Sequence, residues 1–182
     1  MAHHHNPTPS LRMLPASARV ATPWKNGGGK TWEIASFPPG SALHDFAWRI
    51  STAEVDVAGA FSNFAQVDRI LTVLEGRLEL RYVDQGSSVI LEPGQSHAFP
   101  GDTAIEGHPL GGAVRDLNVM VRRGARQAEM TTHCPPHSPG ATVIAIASQP
   151  SEGFAALDAA VLEGDTSPPA DFVGYFVSLR RA

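Results

Sequence analysis

Seventeen glycines and fifteen prolines, together 32 of 182 residues, are spread along this chain rather than gathered into linkers. Glycine breaks regular structure through its freedom at positive φ, and proline through its missing N–H. Between these breakers there is no long amphipathic helical pattern, whereas alternation of apolar and polar residues recurs. Phe46–Val55 is the clearest case: Phe46, Trp48, Ile50 and Thr52 share one face, and Ala47, Arg49, Ser51 and Ala53 the other. Thr31–Phe37, Ser87–Leu91, His97–Phe99 and Val114–Val121 read the same way, and Arg69–Tyr82 reads as two strands joined at Glu75-Gly76. Ala141–Ala147, Ala155–Leu162 and Phe172–Leu179 are three further apolar runs, the middle one also compatible with a short helix. About nine or ten short strands and no long helix define an all-β barrel or sandwich.

Composition narrows the class. Hydrophobic residues make up 42% and charged residues 18%, which supports a packed core. A net charge of -4 argues against a broad basic face for nucleic acid. No run approaches the ~18 apolar residues of a membrane span, and the first residues lack the features of a signal peptide. A soluble, cytoplasmic protein is expected. Cys134 is the single cysteine, which excludes an internal disulfide and any CxxC site. Residues 1–18, with three prolines and His3–His5, read as a flexible tail. Twelve of the fourteen cations are arginine, whose rigid fork suits carboxylates.

Asn26–Thr31 (NGGGKT) imitates a phosphate-binding loop but fails the test. The first glycine of GxxxxGK[ST] would fall on Trp24, and a β-rich run follows where a helix is required. What remains is either a plain tight loop or a ligand loop that offers Lys25 and Asn26 beside exposed backbone N–H groups. Two polar pairs at i and i+2, Arg49 with Ser51 and Asp116 with Asn118, line either a barrel lumen or a solvent face. His108, His133 and His137 lie in loops without ligand spacing, and Cys134 is a weak nucleophile candidate.

Asp68–Gly76 (DRILTVLEG) followed by Pro93–His97 (PGQSH) resembles the paired motifs of the cupin double-stranded barrel. Setting Gly76 as the closing glycine puts the usual glutamate position on Arg69 and the two histidine positions near Ser62 and Phe64. Only His97 stands where a ligand is expected. A divalent metal needs three or four N, O or S donors, and a guanidinium repels it. We therefore expect no metal and no other cofactor. The same residues suit an anion, unless Asp68 or Glu75 neutralises Arg69 in a structural ion pair.

Pro23–Gly29 (PWKNGGG), Trp48–Ser51 (WRIS), Asp68–Gly76, Phe99–Asp102 (FPGD) and Val114–Met120 (VRDLNVM) together resemble the HutD/Ves family. The resemblance covers residues 20–123 and implies a bicupin, with a first barrel over 19–124 and a degenerate second half over 125–182 packed on it. It also implies an accessory or regulatory role in histidine utilization. The resulting expectation is a metal-independent cupin that binds a small carboxylate, with urocanate or formylglutamate as candidates. Lys25, Asn26, Arg49, Ser51, Arg69, His97 and Asn118 are its expected ligand-binding residues. Two other readings stand beside it. One is a metal-free or weakly metallated isomerase or hydrolase with His97 as acid/base; the other is an interaction protein that pairs as a homodimer through an apolar barrel surface.

Overall fold

Alternation dominates the described residues as it dominates the sequence: fifteen strands and one short 3-10 turn (Ala16–Ala18). The structure is a computed structural model that describes residues 11–182. In chain order the strands are β1 (Leu11–Leu14), β2 (Ala21–Pro23), β3 (Gly29–Phe37), β4 (Trp48–Val55) and β5 (Gly59–Ala60). There follow β6 (Val67–Glu75), β7 (Leu78–Tyr82), β8 (Ser87–Leu91), β9 (Ser96–Pro100) and β10 (Ile105–Pro109). The last five are β11 (Val114–Arg122), β12 (Arg126–Thr131), β13 (Thr142–Ala147), β14 (Ala159–Leu162) and β15 (Gly174–Arg181). No helix among the described residues is long and apolar enough to cross a membrane.

The chain divides into two units, Arg19–Ala128 and Glu129–Arg181, and the second also takes in residues 11–18. Expecting a tail over 1–18 was therefore wrong for its last part, while residues 1–10, with His3–His5, lie outside the described residues. Leu11–Leu14 pairs antiparallel with β14, in register from Leu11↔Leu162 to Leu14↔Ala159. Leu11 and Met13 pack on the buried cluster of Ala147, Phe154 and Ala160, which is what holds this stretch. In the second unit β14, β13 and β15 continue the sheet antiparallel. The run that admitted a helix is a strand, Ala159–Leu162.

In the first unit two antiparallel sheets face each other, ordered β2-β3-β4-β11-β6-β9 and β5-β10-β7-β8. Val55, Leu71, Val73, Phe99 and Val114 from the larger sheet meet Leu78, Leu80, Leu91 and Ile105 from the smaller one in a single buried cluster. Two sheets closed around one apolar interior make this a cupin-type barrel. Register fixes which residues point inward. Asn118 lies opposite Ser51 on β4 and Leu71 on β6, and Met120 opposite Arg49 and Arg69. Since Leu71 and Val73 belong to the interior cluster, the period of two places Arg69, Asp116, Asn118, Ser51 and Arg49 on that inner face. On β9, His97 stands opposite Leu71 and Phe99 opposite Arg69, again facing inward.

At the end of the larger sheet a ladder of alternating charges crosses four strands. Lys30 pairs with Glu54 at 2.8 Å, and Arg115 bridges Glu54 at 3.3 Å and Glu75 at 3.2 Å. The second lysine of the chain is thus a cross-strand partner on a sheet, not part of a phosphate loop.

Candidate functional site

Arg69 sits at the centre of the inner face, only 7% exposed. Its guanidinium packs over three aromatic rings: Phe99 at 5.0 Å, Phe61 at 5.5 Å and Phe64 at 5.7 Å from the ring centroids. Glycine at position 107 makes room for one of them, because a Cβ there would lie 2.4 Å from Phe61. Two long hydrogen bonds hold the head group. Nε donates to Asn118 Oδ1 at 3.3 Å, and Nη1 donates to the Ser62 carbonyl at 3.5 Å. Five N–H groups with two weak acceptors leave the fork under-used for a buried cation. Burial also pushes its pKa down to about 10, with the nearby Asp116 charge acting in the opposite direction.

The two acidic neighbours that stood as alternative partners are engaged elsewhere. Asp68 binds Arg123 at 2.7 Å, and Glu75 binds Arg115. Neither therefore neutralises Arg69.

His97 shares the inner face. Its Nε2 hydrogen-bonds the Tyr82 hydroxyl at 2.5 Å, and its ring stacks on Phe99, centroids 6.1 Å apart. One aromatic ring, Phe99, thus touches both Arg69 and His97. Ser51 and Asn118 are also buried on this face, at 3% and 7% exposure. Arg49 points inward too but already has a carboxylate: its Nε meets Glu33 Oε2 at 2.7 Å, and Ser36 Oγ donates to Glu33 Oε1 at 2.9 Å. Lys25 and Asn26 stand exposed on the β2–β3 loop. There Asn26 Oδ1 accepts from the Gly28 N–H at 3.0 Å, so its side chain braces the turn.

Sequence reasoning placed Asp116 on a polar pair but did not count it in the site. Asp116 is 1% exposed, and its Oδ1 has no hydrogen-bond partner among the described residues. Burial raises its pKa to about 7, with Arg69 and a hydrogen bond from Asn118 opposing the rise. The aromatic residues Phe61, Phe64, Phe99 and Tyr82 were also passed over. The signal for Phe99 was its alternation with His97 on one short strand.

Arg123, just after the end of β11, is a clamp. It bonds Asp68 through Nε and both Asp102 oxygens through Nη1 and Nη2, at 2.7, 2.8 and 3.0 Å. Asn63 donates to the Asp102 carbonyl at 3.0 Å, which ties the Phe61–Phe64 segment to the same turn. Arg123 holds the Asp102 carboxyl down to about 2. A depressed carboxyl stabilises the fold above its unfolded pKa and loses that contribution as pH falls toward 2. Arg123→Ala is expected to lower the melting temperature at pH 7, by an amount that shrinks below pH 4. Melting curves of both proteins from pH 2 to 8 check this; a constant difference would contradict it.

The interior tests poorly for the metal that a cupin fold suggests. Of the four ligand positions, Ser62, Phe64 and Arg69 bring a hydroxyl, a ring and a cation, and only His97 brings an imidazole. Among the described residues no three His, Cys, Asp or Glu side chains come together as a metal-ion site. The donor set does not fit a divalent metal.

Barrel and interior together define a cupin whose inner face carries a buried arginine ringed by aromatics. The chain belongs to the HutD family, whose model matches residues 16–165. It is 42% identical over 110 residues to an uncharacterized 21.2 kDa protein in the hutC 3′ region of Pseudomonas putida, a match over 60% of this chain and 57% of that protein. To protein Ves of Citrobacter koseri it is 37% identical over 108 residues, 59% of this chain and 56% of the relative. The chain thus spans a little over half the length of these curated relatives. Among solved structures, HutD from Pseudomonas fluorescens SBW25, in a formate condition, superposes with a TM-score of 0.81. It shares 27% identity, over 95% of this chain and 100% of that one. A conserved protein of unknown function from Pseudomonas aeruginosa PAO1 gives a TM-score of 0.77 at 30% identity, over 94% and 98% of the two chains.

Proposed function

We propose that this protein is a binding module, a metal-independent cupin that takes up a small carboxylate on Arg69 in the cytoplasm. Its role is that of an accessory or regulatory factor of histidine utilization, with urocanate and formylglutamate as candidate ligands. The observation that carries this reading is the state of Arg69: a cation 7% exposed, with two long hydrogen bonds and, among the described residues, no carboxylate in ion-pair contact. A carboxylate supplies what that guanidinium lacks, two coplanar acceptors and a compensating charge. Ser51, Asn118 and His97 on the same inner face offer further hydrogen-bonding partners for the rest of the ligand. Two further points support the biological setting. The P. putida relative is named for the hutC region, and the P. fluorescens HutD was solved in a formate condition.

Calorimetric titration with formate, formylglutamate and urocanate tests the proposal. Charge-assisted bonds of about 1.5–3 kcal/mol translate into roughly tenfold to hundredfold weaker binding when the fork is lost. Arg69→Ala is expected to show that loss, and Arg69→Lys to recover only part of it, since it keeps the charge without the fork. If none of the three ligands binds, the ligand class is wrong. Unchanged binding in Arg69→Ala would place the site elsewhere.

A further inference from the structure

The inner face holds a second buried ionisable group that the carboxylate reading does not use. Asp116 is 1% exposed, and its Oδ1 is unpartnered. Among the described residues it makes no ion pair with Arg69; Asn118 links the two, accepting from Arg69 Nε and hydrogen-bonding Asp116. Its lateral neighbours across the sheet are apolar, Ala53 on β4 and Val73 on β6. A carboxylate in this position would cancel the charge of Arg69 and repel an incoming anion. A carboxylic acid there would do neither, and would bring an O–H donor to the same interior.

Resting on the reading of Arg69 as a carboxylate site, we infer that ligand binding is proton-linked: Asp116 takes up one proton from solvent on its unpartnered Oδ1 as a carboxylate seats on Arg69. No bond other than O–H forms, and no other atom changes hands. With Asp116 neutral, the guanidinium fork meets the ligand's carboxylate with no second anion competing for its charge. It selects against amines and neutral amides at that end. In the unliganded protein, burial already brings the carboxyl near neutrality, at about 7, so little is needed to tip it. The other titratable groups on this face have partners of their own: Arg49 on β4 pairs with Glu33 on β3, and His97 on β9 bonds Tyr82 on β7. On β7 and β10 the charged residues pair among themselves on the opposite face, Arg81 with Glu79 and His108 with Glu106.

The test is calorimetry with formate and with formylglutamate at pH 6, 7 and 8.5, in two buffers of different protonation enthalpy. Both ligands stay fully ionised over this range, so any proton exchanged belongs to the protein. The wild type is expected to take up a fraction of a proton at pH 6, rising toward one at pH 8.5. Its affinity should fall by up to about tenfold per pH unit above 7. Asp116→Asn is expected to take up none and to bind with an affinity nearly flat in pH. Absence of uptake by the wild type overturns the inference, and this needs no variant. Uptake that persists in Asp116→Asn assigns the proton to another group, His97 foremost, and also overturns it. Absence of binding at every pH defeats the carboxylate reading, and this inference with it.

Discussion

Gly29→Ala is expected to destabilise the first unit strongly, although it adds a single methyl group. A Cβ at this position would lie 2.1 Å from the Glu54 carbonyl oxygen and 3.2 Å from its carbon, with Trp24 at 3.3 Å on another side. The obstacle is backbone within a sheet, so no side chain can swing away. Gly29 opens β3 opposite Val55. Its carbonyl also accepts from the Trp24 N–H at 2.9 Å, and the neighbouring Gly28 carbonyl accepts from Asp56 at 3.0 Å. Displacing it would unpick the β3–β4 edge together with the loop. Overpacking against a rigid neighbour costs about 1–3 kcal/mol and sometimes more, a large share of the ~5–15 kcal/mol that holds a domain. Gly27 differs in kind: its φ of +70° suits glycine, but open space surrounds it. Urea unfolding and soluble yield are the measurements. A Gly29→Ala protein that unfolds cooperatively within about 1 kcal/mol of wild type would show that the strand shifts to make room.

That expectation reassigns the most conspicuous motif of the sequence. Several residues of PWKNGGG have a local structural duty. Asn26 braces Gly28, and Gly29 permits the close approach of two strands. Trp24 donates from Nε1 to Thr31 Oγ1 at 2.8 Å. Lys25 remains exposed on the loop.

The long strands were legible because alternation over several residues survives a glycine or two. Val114–Val121 is recovered almost residue for residue as β11. The short pieces were not. β2 and β5 have three and two residues, too few for a period, and β10 reads IEGHP, with glycine and proline inside it. Pairing with a neighbouring strand makes these segments strands, and no local pattern announces that.

The site divides along the same line. Motif spacing located Arg69 and His97, and a period of two already separates Asp68 from Arg69, since successive residues point to opposite faces. Glu75 needed more. A register irregularity between Arg115 and Asp116 sets Glu75 beside Arg115 and thereby off the inner face. The partnership of Arg49 with Glu33 likewise depends on the irregularity between Glu33 and Ala35 on β3. The isolation of Asp116 depends on what does not reach it, which a sequence cannot state.

Asp116→Asn is also expected to change the stability of the unliganded protein, in a way that depends on pH. An acid whose folded pKa lies above its unfolded value weakens the fold once it must ionise there. For Asp116 the window runs from its ordinary 3.8 to about 7. Below that window the acid is neutral in both states and costs nothing. Across it the wild type loses stability relative to the asparagine variant, and above it the difference is constant. Desolvation is the main cause; the attraction of Arg69 and the Asn118 bond offset only part of it. A rise from 3.8 to about 7 corresponds to an upper bound of roughly 4 kcal/mol. An expected gain of about 1–3 kcal/mol at pH 8 allows for the polar amide that asparagine leaves in the same place. Chemical denaturation of both proteins at intervals from pH 4 to 9 measures it. Parallel stability curves would mean that Asp116 titrates as an ordinary carboxylate. Its burial beside Arg69 would then be no reservoir for a proton.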